Sequence, residues 1–396
     1  MISFASCLLD TIAACLAVPT AVFVIEICAA CLLARRHPAP PTAHRRGTVA
    51  VLIPAHDEAK GILATLNDIK PQLRPTDRLL VVADNCTDDT AAIATSGGAE
   101  VTVRSDPSKI GKGYALDWGI NYLASNPPDI VIMIDADCRP AERVVDSLAS
   151  VCEQKQRPVQ SLYLMVSAEG SRINHQVAEF AWRVKNWVRP LGLKALGLPC
   201  QLMGSGMAFP WIVIRSVELS SGLIVEDLKL GLDLASAGYA PLFCPSAVVI
   251  SDFPSSTEGA MGQRKRWEHG QGGLIRAIAI PRFVEAIRRR DLNLAALVLD
   301  LLVPPLSLLL IMISMVAMGT GLAMLAGLTA TAFAISLGCL VAVIFAVIVA
   351  WILRGRDILP PKSLALVPSY LVTKVRLYIA AALGERISLW VRADRN

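Results

Sequence analysis

The residues able to do chemistry in this chain are carboxylates set at the ends of apolar runs. Asp135 and Asp137 close the stretch Asp129-Ile-Val-Ile-Met-Ile-Asp135-Ala-Asp137-Cys138. The unbroken apolar run from Ile130 to Ile134 predicts a strand buried on both faces, of the kind found inside a parallel sheet covered by helices. At the two-residue period of extended chain both aspartates leave on one side, so two negative charges converge. A hard divalent cation with oxygen ligands relieves that repulsion. Held by only one or two carboxylates, it keeps positions open for diphosphate oxygens. Open α/β sheets bind ligands at such strand ends. A lone Asp-x-Asp is common by chance, and the buried strand ahead of it gives this pair its weight.

Other groups fall at comparable places. Ser108-Lys-Ile-Gly-Lys-Gly113 is a loop whose Lys109 and Lys112 can meet phosphates or base edges, or merely solvent. It is no Walker loop, because that motif needs Gly where Asp106 stands and Ser or Thr where Gly113 stands. Gly204-Ser205-Gly206 lets backbone approach a ligand or turn sharply. Glu226 and Asp227 open a helix, where carboxylates ordinarily just complement the dipole. Gln263-Arg264-Lys265-Arg266-Trp267 is either a polar helix face near lipid headgroups or an arginine that grips phosphate beside an indole that stacks on a sugar ring.

The elements that must position these groups follow from pattern. Strands are predicted over Thr48–Ala55, Arg78–Ala83 and Glu100–Arg104, with helices over Asp57–Leu73, from Thr87 onward and over Tyr114–Ala124. Asp57 and Glu58 would form an acidic first turn. This rhythm predicts a mostly parallel sheet with right-handed crossovers. Beyond Pro140 the pattern loosens into a helix to about Gln156, a strand near Gln160–Val166, an amphipathic helix over Ile173–Val188 and a helix from Val225 to Ala237.

At 396 residues, 54% hydrophobic and only 18% charged, the chain is too apolar for a purely soluble protein. Cys7–Ala34, Leu294–Leu325 and Leu328–Leu353 are each long enough to cross a bilayer, with Pro304 and Pro305 marking a kink or a span start. Arg35, Arg36, Arg45 and Arg46 follow the first span, and Arg354 and Arg356 follow the last, which predicts an external N-terminus and a cytoplasmic body. Glu26 inside the first span is expected to find a local partner or to snorkel toward that basic end. Asp300 should lie at a cytoplasmic edge or face protein. A net charge of +5, with basic residues clustered near apolar segments, argues for a membrane face over nucleic acid. Ten scattered cysteines, four of them in the first apolar segment, fit a reducing compartment. The organisation expected is a span over 1–35, a stiff linker over 36–47, a cytoplasmic domain over 48–272, an interfacial amphipathic helix over 273–293, two spans over 294–353 and an interfacial tail over 354–396.

In their order, Ile53-Pro54-Ala55-His56-Asp57-Glu58, Asp84, Lys109 and Lys112, Asp135-Ala-Asp137, Glu226-Asp227 and Gln263-Arg-Lys-Arg266-Trp267 resemble the inverting family-2 glycosyltransferases of GT-A fold. The resemblance is to the membrane branch with cellulose and hyaluronan synthases, and it covers about Val49 to Gly270. It implies an α/β GT-A domain flanked by transmembrane helices, a UDP-sugar donor and Mg2+ or Mn2+. Asp84 would bond the uracil, Glu58 with Pro54 would line the nucleoside pocket, and Lys109 and Lys112 would meet the donor. Asp135 would sit near ribose and metal, and Asp137 would ligate the cation. Asp227, paired with Glu226, would be the general base. Gln263 and Arg266 would hold the diphosphate, while Trp267 with Gly204, Ser205 and Gly206 would receive the acceptor sugar. Two positions depart from the usual pattern: Asn85 stands where many relatives carry a second Asp, and Val225 where Thr is common.

The resemblance places the protein in the inner cell membrane as a multi-pass enzyme of exopolysaccharide-type glycan assembly, touching membrane lipid and, where export is coupled, partner subunits. Two other readings stand beside it: transfer of one sugar to a lipid acceptor, as in ceramide glucosyltransferases, and a catalytically silent nucleotide-binding subunit. A nucleotidyltransferase would need a glycine-rich, arginine-bearing loop after the first strand, where this chain has Ala55-His-Asp-Glu58.

Overall fold

Alternating apolar runs and short amphipathic segments build the first half of the sheet. In the computed structural model the chain is described at residues 2–33, 46–167, 173–223, 225–253 and 270–366, and at 370, 374 and 375. It opens with α1 (Ile2–Leu32) and continues with β1 (Val49–Ala55), α2 (Ile62–Ile69), β2 (Arg78–Asp84), α3 (Thr90–Ser96), β3 (Glu100–Arg104), α4 (Lys112–Leu123) and β4 (Ile130–Met133). There follow β5 (Arg139–Pro140), α5 (Val144–Lys155), β6 (Val159–Val166) and α6 (Ile173–Arg183), which runs through a π-helical turn at Val184–Val188 into α7 (Arg189–Ala195). Next come β7 (Met207–Pro210), α8 (Trp211–Ile214), α9 (Glu226–Ser236) and β8 (Leu242–Asp252). There follow α10 (Ile280–Arg289), α11 (Leu292–Leu301), α12 (Leu306–Leu325) and α13 (Ala330–Arg354).

The strands form one sheet in the order β3-β2-β1-β4-β7-β6-β8-β5. β1 runs parallel to β2 and β4, β2 parallel to β3, and β6 parallel to β8. β7 lies antiparallel between β4 and β6, and β5 is antiparallel to β8. The fold is the expected mostly parallel GT-A sheet. Leu52, Leu80, Val82, Leu116, Ile120, Met133 and Phe209 pack into one core between sheet and helices. Burial on both faces explains why β1, β2, β4 and β7 are apolar along their length rather than alternating.

Several expectations change. The helix after β1 begins at Ile62, not Asp57: Asp57 is left-handed, with φ +54°, and its carboxylate accepts the Thr87 backbone N–H at 2.6 Å. Asp57 therefore ties the β1 loop to the β2 loop and is no helix-dipole complement. β4 ends at Met133, so Asp135 and Asp137 converge through the turn that follows and not through strand alternation. β7 and β8 had no counterpart in the sequence pattern. Pro305 caps α12 as the residue ahead of its first turn.

The chain divides into two compact units. One comprises Met1–Arg35, Glu169–Gly197 and Val298–Ile387, and the other Arg36–Ala168, Leu198–Leu297 and Ser388–Asn396. Among the described residues the first contains three helices long and apolar enough to cross a membrane, Phe4–Leu32, Leu306–Leu325 and Ala330–Arg354. Large apolar side chains such as Met318 and Leu322 stand exposed on them. Within this unit Glu26 has a distant partner rather than a local one. Arg189 Nε donates to Glu26 Oε2 at 2.5 Å, and its Nη2 to the Asp300 carbonyl at 3.0 Å and to the Asp300 carboxylate. All three residues are buried, and a guanidinium fork shared by two carboxylates is what lets ionic groups stay there. The second unit carries the whole sheet.

Candidate active site

At the carboxyl edge of the sheet the parallel register sets Asp84 opposite Arg104, the last residues of β2 and β3. Arg104 Nη1 donates to Asp84 Oδ1 at 2.5 Å, and its Nη2 reaches the Lys109 carbonyl at 3.0 Å. The guanidinium also lies 5.5 Å from the Tyr114 ring centroid. Burial pushes the Asp84 carboxyl up, against the pull of Arg104. His56 Nδ1 sits 2.7 Å from the Asp84 carbonyl oxygen, and Thr90 Oγ1 accepts the Glu58 N–H at 2.8 Å. Pro54 thus lies on β1 opposite Val82, and Glu58 is tied to Thr90 beyond the end of β2. Lys109 itself is exposed.

One strand further along, Asp135, Asp137 and Cys138 bring ligand atoms within 4.8 Å of one another. Burial, reinforced by Asp135, pushes the Cys138 thiol up to about 12, so it stays protonated. That leaves an all-oxygen pair of donors, the type a hard cation takes with several open positions.

Lys112, at the first turn of α4, is the joint of this region. Its ammonium pairs with the Asp135 carboxylate, donates to the Gly204 carbonyl at 2.7 Å and lies 3.9 Å from Glu226 Oε1. Burial works against the charge, but Asp135 and Glu226 outweigh it and hold the lysine protonated well above its usual range. Glu226 is pushed up to about 8, by burial first and then by Asp227, with Lys112 opposing. Asp227 lies beside Gly204, since a Cβ on that glycine would sit 3.4 Å from its Oδ2. Glu226 and Asp227 also line a cleft with Gly113, Leu219 and Leu230. A Cβ on Gly113 would come within 2.6 Å of the Leu219 and Ser221 carbonyls, so only glycine lets α4 approach that wall so closely.

The loop 203–206 is held from beneath. Buried Gln160 on β6 accepts the Met203 N–H at 2.8 Å and donates to the Ser205 carbonyl at 2.9 Å. Ser205 Oγ accepts the Asp135 N–H at 3.0 Å. Gly206 has φ +67°, and a Cβ there would fall 1.9 Å from Ser161 Oγ.

Thus Lys112, Asp135, Gly204, Ser205, Glu226 and Asp227 are brought together, with Asp137 beside them, while Asp84, Pro54, Glu58 and Lys109 gather at the ends of β1 to β3. Gln263, Arg266 and Trp267 lie outside the described residues. Arg104 and Gln160 were not anticipated. A cation ending the third strand and a glutamine inside the apolar run of β6 were the available signals.

The mostly parallel sheet, with acidic residues gathered at its carboxyl ends, has the GT-A architecture. The sequence pattern of the glycosyltransferase like family 2 matches residues 44–270, and the chain belongs to that family. It is 27% identical over 235 residues, 56% of this chain and 54% of the relative, to the probable glycosyltransferase YdaM of Bacillus subtilis (strain 168). It is 36% identical over 96 residues, 23% of this chain and 29% of the relative, to the glucosyl-3-phosphoglycerate synthase of Mycobacterium tuberculosis (strain ATCC 25618 / H37Rv). The chain therefore spans about half the length of the first relative and under a third of the second. The synthase solved with Mn2+, UDP and phosphoglyceric acid superposes with a TM-score of 0.42 at 23% identity, over 61% of this chain and 83% of that one. The mannosyltransferase PcManGT of Pyrobaculum calidifontis, solved with GDP-Man and Mn2+, gives 0.49 at 17% identity over 86% and 99%.

Proposed function

We propose that the chain is a membrane-bound, inverting transferase that moves a sugar from a UDP-sugar to a growing glycan of the exopolysaccharide type. The reaction is a metal-dependent single displacement with Asp227 as base. The observation that supports this best is the Lys112 joint, where one ammonium draws the strand-end aspartate Asp135 and the helix-end glutamate Glu226 to one point beside Asp227.

The donor's nucleoside lies over Pro54, Glu58 and Asp84, with Arg104 orienting the Asp84 carboxylate. Asp137 and Asp135 would hold Mg2+ or Mn2+, which when bound neutralises charge on the departing diphosphate. Lys112 and the exposed Lys109 contribute positive charge on the same side, and Gln263 and Arg266 complete the grip on the diphosphate. Trp267 and the Gly204-Ser205-Gly206 loop receive the acceptor sugar. Asp227 removes the proton from the acceptor hydroxyl as that oxygen attacks the anomeric carbon from the face away from the leaving group. Burial holds the proton on Glu226 up to about pH 8, so Glu226 is not offered as the base. The three long apolar helices cross the inner membrane with the sheet-bearing unit in the cytoplasm, as the arginines after the first and last spans direct. The linker over 36–47, the interfacial segment over 273–293 and the cytoplasmic or interfacial tail over 354–396 complete this organisation.

Membranes bearing the purified chain, incubated with a panel of radiolabelled UDP-sugars and Mn2+, test the reading. It predicts metal-dependent UDP release and a ladder of product lengths. A single lipid-soluble product makes the acceptor a lipid instead. An Asp227→Asn chain that transfers as well as the unaltered one sinks the assignment of the base.

A further inference from the structure

Helix α10 wears its amphipathic pattern inside out. Its polar stripe is spent on protein: Arg282 donates to Asp233 at 2.6 Å and to Ser236 Oγ at 2.9 Å, both on the last turns of α9. Glu285 accepts from Arg282 at 2.7 Å and from the Ser236 hydroxyl, and Arg289 donates to the Ser236 carbonyl at 2.9 Å. On the opposite side Ile280, Val284 and Ile287, spaced at four and three residues, are 69%, 40% and 61% exposed. A stripe of large apolar side chains facing water is unfavourable, and it becomes favourable against acyl chains. Arg276, Arg288 and Arg290 stand exposed along and beyond the stripe, which matches an anionic headgroup layer. The next long apolar helix of the chain, α12, begins at Leu306, shortly after α10 ends.

We propose that α10 lies on an anionic lipid surface through Ile280, Val284 and Ile287, and that the lattice of Arg282, Asp233, Ser236 and Glu285 passes this anchorage to α9. The inference rests on the membrane-transferase reading and adds a regulatory contact to it. Helix α9 is a short rod of about three turns, on the order of 16 Å long. Its far end is gripped by α10 and its first turn carries Glu226 and Asp227. Fixing α10 at the bilayer fixes the angle at which those carboxylates meet Lys112. In zwitterionic lipid the arginines lose the attraction of a net negative surface and α9 is held less firmly.

The test uses the full chain in nanodiscs of phosphatidylcholine alone or mixed with phosphatidylglycerol, read by amide hydrogen exchange across 226–236. Phosphatidylglycerol should slow exchange there by about tenfold, or about 1.4 kcal/mol of added protection. An Ile280→Gln/Ile287→Gln chain should lose the slowing in both 226–236 and 275–289. Arg282→Met should keep it in 275–289 and lose it in 226–236. Transfer turnover should follow protection of α9, with the dissociation constant for UDP unchanged. Equal exchange in the two lipids, or full protection of α9 in the double variant, overturns the proposal. If the protection pattern appears but no nucleotide sugar is turned over, the coupling stands and the transferase reading falls. Turnover without lipid-dependent protection overturns the coupling alone.

Discussion

Replacing Lys112 by Met tests the joint on which the site depends. The change keeps the length of the aliphatic stem and deletes a charge that touches Asp135, Glu226 and the Gly204 carbonyl together. Removing one partner of a buried ion pair costs about 3–5 kcal/mol, because the remaining charges are left uncompensated. The lysine side chain is 18% exposed and Asp135 28%, so water screens part of the repulsion and the lower end, about 3 kcal/mol, is expected. For a unit of this size that lowers the melting temperature by roughly 6–12 °C. Two modulators identify the cause. Glu226 carries its full charge only above about pH 8, so the deficit of the variant should be greatest there and shrink toward acid. Mn2+ should also recover more stability in Lys112→Met than in the parent, because Asp135 is released to the cation. Tryptophan fluorescence during heating, at several pH values with and without Mn2+, reads all of this. A melting temperature within about 1 °C of the parent, or a deficit indifferent to both pH and Mn2+, refutes the reasoning.

The raised pKa of Glu226 makes a separate forecast. Between its ordinary 4.5 and about 8 the folded chain keeps a proton that the unfolded chain has released, so stability from this group is whole below pH 4.5 and is lost as pH rises through 8. Glu226→Gln, neutral at every pH, should flatten that slope in denaturant titrations and keep most of its transfer activity at pH 7. A slope identical to the parent's would contradict it. Gly206→Ala combines a left-handed backbone with a Cβ 1.9 Å from Ser161 Oγ and 2.8 Å from Val249 Cγ2. A loss of about 3 kcal/mol is expected from the sum of strain and overpacking, and urea unfolding of the purified variant measures it.

Much of the fold is written in local pattern. The runs at Val49–Ala55, Arg78–Asp84 and Ile130–Met133 announce themselves because strands buried on both faces are apolar along their length, Glu100–Arg104 shows itself as a short alternating edge strand, and the short helices between them leave only a parallel arrangement. The three long apolar helices are equally legible, since a span needs nothing beyond its own composition. β7 escaped notice because four residues of Met-Ala-Phe-Pro carry no periodicity. β8 escaped because its pattern is broken by Pro245 and by an irregularity in its pairing with β6. The start of α2 was misread because the Asp57 carboxylate ahead of it is spent on a loop contact with Thr87, 30 residues away.

For the site, the sequence by itself determined which carboxylates and lysines are present and that they stand at strand ends and a helix start, because those positions follow from residue type and local period. What only the tertiary structure decided is who meets whom. Lys112 turns from a loop cation into the joint between Asp135 and Glu226, Arg104 becomes the partner of Asp84, Gln160 straps the loop 203–206, and Arg189 joins Glu26 to Asp300. Each of these bonds is made by a side chain whose partner is brought to it by sheet register or helix packing. Charge and hydrogen-bond energies fall off over a few ångströms, so separations along the chain carry no information about them.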